Sequence, residues 1–128
     1  MPVLGVGIDL VEVNEAHRLL ERWGDRLVQR VLTDAEREYV MRFAHPAKHL
    51  AVRLAAKEAV FKALQSLPGA RAIGWREIEV ERLEDGQPVI RLHGHAARLA
   101  GQGRGVRITV SLSHTKQTAG AMAVVESG

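Results

Sequence analysis

The chain contains no cysteine. That absence excludes disulfides, a cysteine-ligated zinc or iron–sulfur site and a thiol nucleophile. It fits a cytoplasmic protein. Aromatic residues are scarce, at 4% of the sequence, too few for the stacking platforms with which single-strand nucleic-acid binders hold bases. No stretch is long and apolar enough to span a bilayer. The opening does not read as a signal peptide, because Asp9 and Glu12 interrupt its apolar run before an h-region forms. Internal repeats, low-complexity tracts and linkers are missing as well. These absences lead to the expectation of one soluble domain over residues 1–128, with no membrane partner.

What remains is a chain of 128 residues, 46% hydrophobic and 26% charged, large enough to bury a core of its own. Its formal net charge of +3 suits an acidic partner: phosphates, nucleic acid or an acidic protein.

Periodicity sets out the elements. Val3 to Leu10 reads as a mostly buried first strand, in which Gly5 and Gly7 permit close backbone approach. Asn14 is placed to cap a first helix whose apolar residues run from Ala16 to Val31 at helical spacing, with Gly24 as a weak point. Thr33-Asp34-Ala35-Glu36 is a capping box that starts a second helix, and His45-Pro46 ends it. A third helix is predicted from Ala47 to Ser66, stopped by Leu67-Pro68-Gly69. The second half reads as strand from Ile73 to Leu83, a turn through Gly86 and Pro88, and strand from Val89 to Leu92. A short helix from His93 to Ala100 and strands at Val106–Ser113 and Thr118–Val125 follow. Helices first and hairpins later predict an α+β fold, with helices packed on a small antiparallel sheet.

Chemistry concentrates in a few residues. Glu58 and Lys62 are four apart on the alanine-rich third helix, so they share a face; Arg53 and Lys57 share a neighbouring one. An exposed ion pair is the commoner meaning of such spacing, yet charges on so apolar a helix call for a partner or an ion. Asp9 interrupts the end of an apolar strand, where a lone aspartate more often caps a turn. Together Asp9 and Glu58 offer the hard oxygen ligands that magnesium takes alongside phosphate oxygens and water, although spacing alone does not bring them together. His114 closes Ser111-Leu112-Ser113-His114-Thr115 at a strand end, as a phosphate ligand, an acid/base group or an exposed loop histidine. Arg18, Arg22, Arg26 and Arg30 recur every fourth residue, either as a solvated helix face or as a dock for an acidic partner.

In this order the segments resemble the holo-[acyl-carrier-protein] synthases, the small bacterial 4′-phosphopantetheinyl transferases. The resemblance rests on Gly5-Val6-Gly7-Ile8-Asp9, on Leu50 to Leu64 with its Arg53-x-x-x-Lys57-Glu58-Ala59-x-x-Lys62-Ala63 core, and on Ser111 to Thr115. Thr33 to Glu36, Ile78-Glu79-Val80 and Gly86-Gln87-Pro88 extend it over nearly the whole chain. It implies transfer of the phosphopantetheine arm of coenzyme A to a serine of apo acyl carrier protein, leaving adenosine 3′,5′-bisphosphate. It further implies Asp9 and Glu58 as magnesium ligands, and Glu58, Lys62 and His114 in catalysis. Arg53, Gly86, Pro88, His114 and Thr115 would bind coenzyme A, and Arg22, Arg26 and Arg30 would dock the carrier. A homotrimer with active sites between subunits is implied too, in fatty acid biosynthesis and lipid metabolism, with no nucleic acid as partner.

The chain departs from the family pattern in three places. Gln65 to Ala70 replaces a Gly-Thr-Gly segment. Asn14 and Glu15 stand where a basic residue is usual. His45, Lys48 and His49 precede or open the third helix where stronger bases are common. A competing reading, a nucleotide- or RNA-binding module, draws on the arginines and on Gly103-Arg104-Gly105, but leaves Asp9 with Glu58 unexplained.

Overall fold

The computed structural model describes residues 2–101 and 105–128; Gly103 and Arg104 of the basic tripeptide lie outside them. The chain runs β1 (Val3–Glu12), α1 (Val13–Trp23), α2 (Asp25–Val31), α3 (Asp34–Met41), α4 (Ala47–Leu64), β2 (Ile78–Arg82), β3 (Pro88–Leu92), α5 (Gly94–Gly101), β4 (Val106–His114) and β5 (Thr118–Ser127). The strands form an antiparallel sheet ordered β1-β5-β4 and a separate β2-β3 hairpin. This is the α+β arrangement expected.

Helix α4 is the axis of the molecule. Alanine fills its buried faces at 55, 56, 59 and 63, so it settles very close to the sheet. A Cβ on Gly5 would lie 2.0 Å from the carbonyl oxygen of Ala63, and one on Gly7 2.0 Å from that of Ala59. Only glycine admits the helix backbone at that distance.

Four expectations are corrected. Strand β1 is buried on one face only: α4 covers Gly7, while Val6, Ile8 and Leu10 are 66%, 66% and 69% exposed. Asn14 is no cap, because β1 stays paired with β5 as far as Glu12 opposite Thr118, and the helix begins directly at Val13. Gly24, at φ 55°, does more than weaken the first helix; it divides it into α1 and α2. Residues 73–77 are not strand. Ala70–Ala72 and Trp75–Glu77 are single 3₁₀ turns, and the buried Lys57 ammonium donates to the carbonyls of Trp75 and Ile78. The capping box holds as read: Glu36 N–H donates to Thr33 Oγ1 at 3.2 Å, and Thr33 N–H to Glu36 Oε1 at 2.9 Å.

Candidate active site

The period-2 run Gly5, Gly7, Asp9 points at α4, so the glycines that let the helix close in also aim Asp9 at it. Lys62 Nζ donates to Asp9 Oδ1 at 3.1 Å and to the carbonyl of Ile8 at 3.0 Å. The Asp9 side chain is 19% exposed and that of Lys62 50%. Glu58 stands one turn before Lys62 and makes no ion pair with it. Its carboxyl is pushed above the ordinary carboxylate value, first by partial burial and then by the charge of Asp9; Lys62 opposes the shift. A strand carboxylate, a helix carboxylate and an ammonium therefore form one electrostatic unit.

That unit fits a magnesium ion by its chemistry. Two hard carboxylates share one electrostatic neighbourhood, and Glu58 has no hydrogen-bond donor among the described residues. No group of three or more His, Cys, Asp or Glu suited to a metal occurs among them. An ion here must draw further oxygens from phosphate and water, as magnesium does.

The residues expected to bind the nucleotide lie elsewhere on the chain. Arg53 is buried, with its guanidinium carbon 4.3 Å from the centre of the Tyr39 ring. Its Nε is an orphaned buried donor. It lines a cleft of about 500 Å³ with Tyr39, Arg42, Arg82 and Gly86. Gly86, at φ 88°, shapes the β2–β3 turn, where its carbonyl accepts from Arg82 Nη1 at 2.9 Å; Pro88 opens β3 opposite Arg82. None of the residues lining this cleft also lines the cavity at Glu58. The predicted set thus divides into two groups on one chain.

His114 is exposed at the end of β4. Thr115 turns the chain towards β5: its hydroxyl accepts from the amides of Gln117 and Thr118 at 3.2 and 3.0 Å. His49 stacks on Phe43 with ring centres 3.7 Å apart. Its pKa is held below the ordinary histidine value by burial, then by Arg53, Lys48, His114 and Arg82. So much positive charge around one imidazole marks a surface that gains from an anion. Lys48 and Lys116 line the adjoining hollow with His45 and His49.

The predicted docking arginines straddle the break at Gly24: Arg22 on α1, Arg26 and Arg30 on α2. Arg22 and Arg26 both lie over the Trp23 ring, at 5.1 and 5.9 Å. Trp23, Leu19 and Leu27 add an apolar hollow that the charge pattern alone did not reveal.

Sequence reasoning also missed a buried polar network. Lys57 Nζ pairs with Glu36 Oε1 at 2.6 Å, both side chains almost fully enclosed. Glu36 Oε2 accepts from the Val80 amide at 2.8 Å. Glu79 accepts from Thr33 at 2.6 Å and pairs with His93 at 2.9 Å. The signal was the capping box itself, whose glutamate points inward and needs a cation.

Comparison with known proteins agrees with this fold. A family model described as the 4′-phosphopantetheinyl transferase superfamily matches residues 5–111. The holo-[acyl-carrier-protein] synthase of Moorella thermoacetica is 42% identical over 125 residues, covering 98% of this chain and 95% of that protein. The acyl carrier protein synthase structure from Mycobacterium tuberculosis superposes with a TM-score of 0.77 at 35% identity, covering 99% of this chain and all of the other (100%). The coenzyme A complex of the Chronobacterium ammoniagenes enzyme gives 0.83 at 29% identity, covering 100% and 99%.

Proposed function

Because the chain belongs to the 4′-phosphopantetheinyl transferase superfamily, and within it to the holo-[acyl-carrier-protein] synthases, we propose that it moves the phosphopantetheine arm of coenzyme A to a serine of apo acyl carrier protein. The observation that carries this reading is the meeting of Asp9, Glu58 and Lys62. Membership in a transferase family displaces the RNA-module alternative.

In the reaction, the carrier's serine oxygen bonds to the phosphorus that bears the pantetheine arm. The bond from that phosphorus to the bridging oxygen breaks, and adenosine 3′,5′-bisphosphate leaves. The serine proton is released to a base. Asp9 and Glu58 would hold magnesium, which when bound would neutralise charge on the pyrophosphate. Lys62, half exposed while bonded to Asp9, is free to turn a donor to a phosphate oxygen. Arg53 brings an unused donor and a fixed positive charge to the nucleotide phosphates, Lys116 adds charge at the rim, and His114 offers a ring nitrogen there. Gly86 and Pro88 border the space for the adenine, and Thr115 supports His114 by closing its turn. The work of the protein is positioning and electrostatic stabilisation.

The division into two groups supports active sites shared between subunits of a homotrimer, one chain supplying Asp9 and Glu58 and the next Arg53 and His114. The apolar strip Val6, Ile8 and Leu10 on β1 suits such an assembly. Arg22, Arg26 and Arg30 would dock the acidic carrier. No described helix is long and apolar enough to cross a membrane, and we place the reaction in cytoplasmic fatty acid biosynthesis, carried by a single domain over residues 1–128. Incubation with coenzyme A, magnesium and apo acyl carrier protein, followed by mass spectrometry of the carrier, tests the proposal. Addition of one phosphopantetheine is expected; an unmodified carrier with every divalent ion tried would overturn it.

A further inference from the structure

A small cavity of about 140 Å³ opens beside Glu58, walled by Phe61, Ile73, Gly74, Trp75 and Ile78. Lys57 also lines it, but its ammonium is engaged by Glu36 and by the carbonyls of Trp75 and Ile78. The two carbonyl bonds pin the Trp75–Ile78 wall to α4, while Gly74 at the rim is exposed. The cavity's remaining lining is almost wholly apolar. It lies well below the roughly 300–1,000 Å³ that encloses a drug-sized ligand, so it takes a fragment of a substrate and not a nucleobase. We propose that this cavity receives the dimethyl-branched carbon of the pantoate segment, and so selects coenzyme A by the first apolar group beyond its pyrophosphate.

The inference rests on the reading that the pyrophosphate lies at Asp9 and Glu58. In coenzyme A the phosphate ester oxygen carries a methylene, and the next carbon bears two methyl groups. A phosphate held at Glu58 therefore carries those methyls within reach of the apolar wall that Glu58 itself helps to line. The thiol end of the arm, many bonds further on, enters the cavity from the same anchor only if the arm folds back on itself. Methyl groups seated here also fix the direction in which the arm leaves the phosphorus, and with it the side left open to the incoming serine.

The test compares coenzyme A with an analogue whose pantoate lacks both methyls, on the full-length enzyme with magnesium and apo carrier. Wild type should prefer coenzyme A by about ten- to a hundredfold in kcat/KM. Gly74→Val adds bulk to a residue of the cavity's wall whose backbone is extended, at φ −94° and ψ 165°. A Cβ there meets nothing closer than Glu77 Oε2 at 3.8 Å. This variant should lose most of its rate with coenzyme A and keep its rate with the dimethyl-free analogue, with an unchanged melting temperature. Phe61→Ala, which widens the cavity, provides a second reading: its preference for the methyls should shrink. Equal rates for the two substrates in wild type, or equal losses for both in Gly74→Val, would overturn the proposal. Failure to transfer from either substrate would instead overturn the proposed function itself.

Discussion

Glu58 illustrates at the scale of one residue how a site is held against the interest of the fold. Burial and the charge of Asp9 raise its pKa, so the folded chain favours the protonated form. Above that raised value, ionised Glu58 costs stability; below the ordinary carboxylate value the cost is gone. Glu58→Gln should therefore melt higher than wild type at neutral pH by calorimetry, while losing at least about a hundredfold in kcat. Asp9→Asn should lose activity similarly. With both carboxylates present, the magnesium concentration for half-maximal rate should climb as pH falls through the raised Glu58 value, because a carboxylic acid is a poor ligand. A half-saturation value that ignores pH would argue against Glu58 as ligand. Spacing showed Asp9 and Glu58 only as unusual carboxylates; the family resemblance implied that they meet, and the bond from Lys62 to Asp9 followed from neither.

Among the elements, α4 was read almost to its ends, because eleven of its eighteen residues (Ala47–Leu64) are alanine, leucine or valine and the chain is stopped by Leu67-Pro68-Gly69. The strand β1 was read in place but not in environment. Alternation shows which residues share a face and says nothing about whether a helix, a neighbour or water covers it. Residues 73–77 were misread as strand: the Gly74 carbonyl accepts from the Glu77 amide within a 3₁₀ turn, and the Trp75 carbonyl answers to Lys57, a residue on another element. That lysine carries the clearest prediction at this scale. Removing one member of a buried ion pair costs about 3–5 kcal/mol, so Lys57→Met should unfold at distinctly lower urea. The loss should persist in high salt, since the pair is shielded from screening. The exposed Arg18–Glu15 pair, at 2.9 Å with side chains 69% and 55% exposed, should change stability by less than about 1 kcal/mol when broken.

For the whole molecule, the proposed sharing of the site between subunits would make assembly part of catalysis, with the apolar strip on β1 as its seam. Ile8→Glu places a charge in that strip without touching the α4 side. It should yield monomers by analytical ultracentrifugation and inactive protein with native circular dichroism; a fully active monomer would contradict the shared site. The proposed arginine dock is a second surface, which shares no lining residue with the cavity at Glu58. Arg26→Glu with Arg30→Glu should raise the KM for carrier about tenfold or more and leave coenzyme A binding unchanged, with the carrier effect fading in salt. The basic stripe itself was visible in sequence, but its bend at Gly24 and its Trp23 hollow needed three dimensions.

The interlock of Gly5 and Gly7 with α4 bears on how this chain can vary. The atoms that forbid a side chain there are the carbonyl oxygens of Ala63 and Ala59, and every amino acid carries one. No replacement at position 59 or 63 makes room, as a smaller partner would in an ordinary core. A lost methyl on the helix cannot compensate for a gained one on the strand. In a selection for survivors of Gly7→Ala, suppressors should be absent from both facing positions and appear only where they let the whole helix slide.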